Sequence, residues 1–238
     1  MRLERLGHRD HPLEVKSSLS SLISGAHLAL TTRIGVISSG RGENAKYIIK
    51  ATRSGYLPAE VAVVLADQRD AGALKIAREA GIEAHFVDPA GLSRAEHEAL
   101  LIEFLDRAGV DLVVLTGYMR ILSPEFVRHF KNRTINIHPA LLPAFRGMDA
   151  FQQALDYGVR VTGTTIHLVD EEVDHGPIIL QVPVEVKEGD THDSLKARVQ
   201  EAEYRAYPEA LKLFIEGKPK VAGRKVVFEV EEKEEDGS

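Results

Sequence analysis

Residues 33–54 read RIGVISSGRGENAKYIIKATRS: an apolar run, Arg33–Ser38, passes through a glycine-containing turn into a helical pattern, Asn44–Ser54. Short strand-like runs and longer helical patterns continue to alternate up to about residue 137. Further strands are predicted at Glu60–Ala66, Ala84–Val87, Asp111–Leu115 and Arg133–Ile137, and further helices at Ala71–Ala80, Ser93–Ala108 and Pro124–Phe130. This alternation is typical of an open, mostly parallel sheet with helices on both faces, so we predict a Rossmann-like α/β fold.

The pattern changes in the second half of the chain. Two consecutive strand-like runs, Gly163–Asp170 and Pro177–Val186, are joined by a short turn, and a long helix is predicted from Thr191 to Ile215. Consecutive strands joined by a short turn pair antiparallel, so this part of the sheet is predicted to be partly antiparallel. No repeat or flexible linker interrupts residues 33–228, which we therefore interpret as one domain.

The two ends differ in composition from this domain. Residues 1–32 are only intermittently apolar and contain acidic residues, which makes a poor signal peptide, so we expect a mobile or loosely docked extension. Residues 229–238 are dominated by Glu and are expected to form a disordered, solvated tail.

Composition excludes several classes of function. The chain has no Cys, which rules out disulfides, thiolate metal sites and a catalytic thiol, and fits a reducing, cytoplasmic environment. A net charge of -6 argues against nucleic acid as a partner, since binding a phosphate backbone needs clustered Lys and Arg. No apolar run approaches the roughly 20 residues of a membrane helix, so we expect no membrane partner.

The turn from Ser38 to Asn44 connects a predicted buried strand to a predicted helix. Backbone N–H groups at such a helix N-terminus favour a bound anion, and a phosphate is one candidate. The turn has neither the three glycines of a dinucleotide-binding fingerprint nor the Lys-Ser/Thr pair of a nucleotide triphosphatase loop. A tight turn that needs glycine only for its dihedral angles explains it equally well.

Asn136 and His138 close a predicted parallel strand, and Gly117–Leu122 follows another. Ligands of open α/β sheets bind along the edge formed by the carboxyl ends of the strands. Residues two apart in a strand lie on one face, so the amide and the imidazole are predicted to face one pocket. It is also possible that each is a structural polar group whose hydrogen bonds are already satisfied.

A dense acidic turn, DEEVDHGP, spans Asp170–Pro177 between two predicted strands. A solvated loop is the ordinary interpretation of such a run. If Asp174 lies beside His138, its carboxylate is expected to raise the pKa of the imidazole above the reference of about 6.5. No metal site is expected, because His129, His138, His167 and His175 form no i, i+4 pair and there are no thiols.

Four segments resemble, in order and spacing, those of the folate-dependent phosphoribosylglycinamide formyltransferases. They are YMRIL (Tyr118–Leu122), NIHPALLP (Asn136–Pro143), GTTIH (Gly163–His167) and DEEVDHGP (Asp170–Pro177). The resemblance runs from about Arg33 to about Phe228. It implies transfer of a formyl group from 10-formyltetrahydrofolate to the amine of glycinamide ribonucleotide in purine biosynthesis. We expect a monomer or homodimer, and no metal for the reasons given above.

The resemblance also implies roles for individual residues. Asn136, His138 and Asp174 match the catalytic Asn, His and Asp of the family. The implied folate-binding residues are Arg94, Met119, Arg120, Ile121, Leu122, Asn136, Asp170, Glu171, Glu172, Val173 and Asp174. The residues implied to bind glycinamide ribonucleotide are Gly42, Glu43, Asn44 and Glu203.

One position departs from the family, whose phosphate-binding segment usually reads Gly-Ser-Asn where this chain has Gly42, Glu43 and Asn44. A carboxylate next to a phosphate is repulsive, so either Glu43 turns outward or the substrate differs; we favour the outward side chain.

Three further functions stay open beside this one. The first is formyl transfer to another amine acceptor. A sugar nucleotide is favoured over methionyl-tRNA, because binding tRNA would need a basic C-terminal domain. A formyltetrahydrofolate hydrolase is the second, although such an enzyme is expected to carry a regulatory domain in front. A non-catalytic nucleotide- or folate-binding module is the third.

Overall fold

The computed structural model describes residues 31–228, and within them the chain forms nine strands and six helices. The strands are β1 (Thr32–Ser38), β2 (Ala59–Ala66), β3 (Glu83–Phe86), β4 (Leu112–Leu115), β5 (Thr134–His138), β6 (Val161–Leu168), β7 (Ile178–Glu185), β8 (Lys220–Ala222) and β9 (Lys225–Val227). The helices are α1 (Glu43–Arg53), α2 (Gly72–Glu79), α3 (Arg94–Arg107), α4 (Pro124–His129), α5 (Ala150–Tyr157) and α6 (His192–Glu216).

All nine strands belong to one sheet, in the order β3-β2-β1-β4-β5-β6-β7-β9-β8. Strands β1 to β5 pair parallel. The pairs β5–β6 and β6–β7 are antiparallel, and β9 joins β7 in parallel through the single residue pair Ile178 and Lys225. This topology confirms the predicted α/β fold with a mostly parallel sheet and an antiparallel C-terminal part.

Alternate residues of the central strands pack into different hydrophobic clusters. In β1, Ile34 and Val36 belong to a cluster that includes α1, α2 and the C-terminal half of α6, whereas Ile37 belongs to one that includes α3 and α4. Adjacent side chains of a strand point to opposite faces, so a strand that is buried on both sides reads as the continuous apolar run seen in the sequence.

The predicted helices and strands are confirmed, with ends that shift by one or two residues. Gly55, Gly81 and Gly109 follow α1, α2 and α3 with positive φ, as expected for residues that end a helix. Helix α5 and the β8–β9 hairpin were not predicted; each strand of the hairpin has only three residues, too few to show an apolar alternation. The carboxyl ends of β1, β4 and β5 lie along one edge, as the parallel pairing requires.

Most of the predicted N-terminal extension, up to residue 30, and the predicted acidic tail from residue 229 lie outside the described residues. Among the helices of residues 31–228, none combines the length and the apolar character needed to cross a membrane.

Candidate active site

The turn after β1 is fixed to the segment after β4. Ser38 Oγ donates a hydrogen bond to the carbonyl of Thr116 at 2.8 Å, and the N–H of Met119 donates to Ser39 Oγ at 3.0 Å. Gly42 precedes the first residue of α1 with φ of +79°, and a Cβ there would lie 2.5 Å from Cα of Ala73. The left-handed backbone and this close approach both require glycine at position 42.

Glu43 and Asn44 open helix α1 and point to different partners. The Glu43 carboxylate lies 3.5 Å from Nζ of Lys46, one turn along the helix, and is partly exposed. This geometry agrees with the expected outward side chain. Asn44 Nδ2 donates to Oε2 of Glu203 at 3.2 Å, whereas its buried Oδ1 has no hydrogen-bond partner within residues 31–228. The two elements α1 and α6 therefore bring Asn44 and Glu203 together.

Glu203 is a buried acid. Only 6% of its surface is exposed, and burial raises the pKa of its carboxyl from 4.5 to about 7, although the hydrogen bond from Asn44 lowers that pKa. A carboxyl group with this pKa exchanges a proton near neutral pH, which suits contact with hydroxyl or amine groups of a ligand.

His138 and Asp174 meet at the carboxyl end of β5, and His167 links Asn136 to them. Nδ1 of His138 lies 3.1 Å from Oδ2 of Asp174. Asn136 Nδ2 lies 3.3 Å from Nε2 of His167, which in turn lies 3.7 Å from Oδ1 of Asp174. The amide and both imidazoles thus share one side of the sheet, which the spacing of two residues predicted for Asn136 and His138.

His138 is held by acceptors at both ring nitrogens. Besides Asp174 at Nδ1, its Nε2 donates to the carbonyl of Phe145 at 2.8 Å. The expectation that Asp174 raises the pKa of His138 above the ordinary 6.5 is wrong in this structure. Burial lowers the pKa of His138 and outweighs the opposing effects of Asp174 and of the Phe145 carbonyl. The unprotonated ring is therefore favoured more than in water, and such a ring has one N–H, so it donates to only one of these two acceptors at a time.

Asp174 sits in a constrained turn. Its φ is +48°, a left-handed conformation that Asp tolerates better than most residues, and the N–H of Gly147 donates to its Oδ2 at 2.8 Å. Burial by itself raises the pKa of Asp174, but the contacts with His167, His138 and the Gly147 N–H together lower it. The carboxylate is consequently ionised at neutral pH.

His167 is a site residue that sequence reasoning did not single out. It is buried on β6 directly opposite Asn136 in the antiparallel pairing, and its Nδ1 donates to the carbonyl of Leu168 at 2.8 Å. The segment GTTIH was noticed only as part of a resemblance. Identifying the residue would have required the register of β5 against β6, which the spacing of the segments does not give.

The predicted folate residues of the segment after β4 divide into two groups. Met119, Arg120 and Ile121 are exposed at the sheet edge. Leu122 is 8% exposed, and its side chain packs in the hydrophobic cluster that contains Phe126, so a contact of Leu122 with folate would be made by its backbone and stays a prediction. Its burial follows from its place just before α4, which packs on the sheet.

Arg94 is exposed at the first residue of α3, and no hydrogen bond or ion pair joins its side chain to any other residue in the range 31–228. The structure thus leaves it free without bringing it to the Asn136, His138 and Asp174 cluster. Its proximity to a ligand stays a prediction.

Side chains of the acidic loop after β6 make specific contacts, which a fully solvated acidic run would lack. Asp170 Oδ2 lies 2.7 Å from Nδ1 of His175, and Glu171 pairs with Arg128 at 3.2 Å. Glu172 and Val173 are exposed. The loop therefore has a defined shape next to Asp174.

An apolar cavity of about 400 Å³ lies beside the loop that carries Phe145, with Leu141, Tyr157 and Val161 in its walls. None of Asn136, His138 and Asp174 lines it. The polar cluster at the end of β5, rather than this cavity, has the chemistry of an active site.

Comparisons with known proteins agree with this geometry. Residues 32–211 match the family model described as formyl transferase. The phosphoribosylglycinamide formyltransferase of Escherichia coli is 42% identical over 189 residues, which cover 79% of this chain and 89% of that protein. The trifunctional purine biosynthetic protein adenosine-3 of Gallus gallus is 41% identical over 208 residues, but this chain, 86% of which is covered, spans only 21% of its length.

Among solved structures, glycinamide ribonucleotide transformylase 1 from Symbiobacterium toebii superimposes with a TM-score of 0.81 and 49% identity, over 83% of this chain and 94% of that chain. The residues that match the family model, 32–211, include the strands and loops that carry the polar cluster. This chain belongs to the formyl transferase family.

Proposed function

We propose that this chain transfers the formyl group of 10-formyltetrahydrofolate to the amine of glycinamide ribonucleotide, giving formylglycinamide ribonucleotide and tetrahydrofolate in purine biosynthesis. The cluster in which His138 contacts Asp174 at 3.1 Å, and in which His167 links Asn136 to Asp174, carries the proposal. The names of the relatives support the acceptor. We assign the activity to one domain, residues 33–228, and, given the lack of cysteine, to the cytoplasm.

The reaction needs no protein nucleophile. The amine nitrogen of the acceptor attacks the formyl carbon, a C–N bond forms, and the carbonyl oxygen becomes an oxyanion in a tetrahedral intermediate. The intermediate collapses when the bond between the carbon and N10 of the folate breaks and N10 takes a proton. Hydrogen-bond donors aimed at the oxyanion lower the barrier by about 2.7–4 kcal/mol each in comparable sites.

Asn136 Nδ2 and His138 Nε2 are the donors that we assign to the oxyanion. In the structure His138 Nε2 donates to the Phe145 carbonyl, so the imidazole has to exchange this acceptor for the substrate oxygen. The exchange leaves Nδ1 against Asp174, which keeps the ring oriented. A developing negative charge next to the ring also favours its protonation, which opposes the effect of burial.

We assign to Asp174 the movement of the proton from the attacking amine towards N10, through a bound water. Its carboxylate is ionised at neutral pH and is anchored by the Gly147 N–H, so an acceptor is available without reorganisation. General acid–base catalysis of this kind contributes about 10²–10⁴-fold to a rate.

We place the two substrates on either side of this cluster. The backbone at Gly42, Glu43 and Asn44 faces the phosphate of the acceptor, and Glu203, which binds Asn44, faces its ribose or glycinamide end. The folate lies along Met119–Leu122 and the loop Asp170–Asp174, with Arg94 near its end. Leu122 contributes by its backbone, because its side chain is in the core.

A spectrophotometric assay tests the proposal. Release of folate product from a stable 10-formyl folate analogue is followed with and without glycinamide ribonucleotide, and we expect release only when the nucleotide is present. Release without the nucleotide would identify a hydrolase. Release only with another amine, such as a sugar nucleotide, would show that this amine is the acceptor. Binding of the analogue with no release in any of these mixtures would indicate a non-catalytic module.

A further inference from the structure

The turn of the β8–β9 hairpin lies against the acidic loop after β6. Nη2 of Arg224, at this turn, donates to the main-chain carbonyl of His175 at 2.6 Å. Nη1 of the same guanidinium lies 2.7 Å from Nε2 and 3.2 Å from Nδ1 of the His175 ring. One side chain of the hairpin therefore holds both the backbone and the imidazole of His175.

His175 in turn contacts Asp170 at the start of the loop. Its Nδ1 lies 2.7 Å from Oδ2 of Asp170, and the other carboxylate oxygen of Asp170 accepts from the N–H of Glu172 at 3.1 Å. The Glu172 carboxylate lies 3.9 Å from the same Nδ1 of His175. The two ends of the loop are thus cross-linked through one imidazole.

The backbone is tightly packed at the base of the loop, where the chain leaves β6 and enters β7. The N–H of Leu168 donates to the carbonyl of Pro177 at 2.8 Å, and a Cβ on Gly176 would lie 1.8 Å from the carbonyl oxygen of Leu168. Asp174 precedes His175 directly and has a φ of +48°. A non-glycine residue keeps such a conformation only where its surroundings hold it.

We propose that Arg224 and His175 are positioning residues of this site. The series Arg224, His175 and Asp170 holds the loop in the shape that receives the formyl folate and aims the Asp174 carboxylate at His138. Neither residue belongs to the catalytic set, and Arg224 lies 50 positions beyond Asp174 in sequence, on a hairpin joined to β7 by one residue pair. The inference rests on the proposed function, because it names the loop as the folate-binding loop.

The test compares Arg224→Ala with Lys225→Ala, which removes an exposed positive charge from the next position of the same hairpin. We expect Arg224→Ala to raise the Kd and KM of the formyl folate analogue about threefold to tenfold, the loss that a hydrogen bond of this kind brings. The KM for glycinamide ribonucleotide and the Tm should stay at the values of the unmodified protein. Arg224→Lys should restore part of the affinity, since an ammonium can still donate to the His175 carbonyl.

Three results would overturn the inference: Arg224→Ala and Lys225→Ala behave alike, the KM of both substrates rises together with a loss of Tm, or the unmodified protein does not bind the folate analogue. The Kd is measured by fluorescence without any acceptor, so it does not depend on which amine is formylated. Normal transfer to glycinamide ribonucleotide with no effect of Arg224→Ala refutes the positioning role alone. Weaker folate binding in Arg224→Ala, in a protein that does not use glycinamide ribonucleotide, supports the positioning role and refutes the acceptor.

Discussion

Oδ2 of Asp174 lies 3.1 Å from Nδ1 of His138, although 36 positions separate the two residues in the sequence. The same oxygen accepts from the N–H of Gly147, so the carboxylate is fixed on two sides before any substrate binds. In the proposed mechanism, this contact supplies the proton acceptor and orients the imidazole.

Asp174→Asn should lower kcat by about 10²–10⁴-fold with little change in either KM, because the amide keeps the volume of the carboxylate but cannot accept a proton. Steady-state kinetics with both substrates measures this. Losses of similar size in binding and turnover would contradict the assigned role.

The pKa of His138 in the free protein should lie below 6.5, and it should fall further in Asp174→Asn, since burial lowers it and Asp174 opposes burial. An NMR titration of the imidazole, assigned by the signal that disappears in His138→Asn, gives both values. Because the folded state disfavours the protonated ring, this residue contributes stability above the ordinary pKa that is lost as the pH falls. A measured pKa above 6.5 would contradict this, because His138 would then stabilise the folded state at low pH instead.

His167→Asn should lower kcat about tenfold, which corresponds to about 1.4 kcal/mol, and less than Asp174→Asn does. His167 contacts both Asn136 and Asp174, and its contact is one of the causes that lower the pKa of Asp174. The pKa of Asp174 should therefore rise in this variant, which is measurable by carboxyl NMR. An unchanged kcat would exclude His167 from the site.

Glu203→Gln should stabilise the protein above pH 7 and have little effect below pH 4.5. The folded-state pKa of Glu203 is raised from 4.5 to about 7, so the stability that the neutral acid contributes is present at low pH and lost as the pH rises through that range. Above pH 7, the free energy of unfolding of the variant should be larger by on the order of 1–3 kcal/mol. Urea unfolding at both ends of the range tests this, with Glu209→Gln on the exposed side of α6 as the control.

Glu43→Ser should leave the KM for glycinamide ribonucleotide unchanged at low and at high salt, because the carboxylate is paired with Lys46 and partly exposed. Kinetics at two ionic strengths decide this. If the KM falls, and falls most at low salt, Glu43 repels the phosphate and the substrate assignment needs revision.

Sequence by itself determined the order and type of the longer helices and strands and the end of the sheet at which the polar residues gather. These features follow from local rules: apolar periodicity distinguishes α1 or β1 from the turn between them, and glycine at position 42 or 55 marks where the backbone turns. The parallel arrangement then places the ends of β1, β4 and β5 together without further information. Asn136 and His138 were located by this reasoning.

Tertiary structure alone decided which side chains meet and how they titrate. The register of β5 against β6 places His167 opposite Asn136, and the left-handed backbone at Asp174 turns its carboxylate towards both imidazoles. The side chain of Leu122 goes into the core, and the pKa of His138 falls where proximity to Asp174 predicted a rise. The physical reason is that burial is a sum over all neighbours in space, so the balance between desolvation and a nearby charge cannot be read from residues that lie close in sequence.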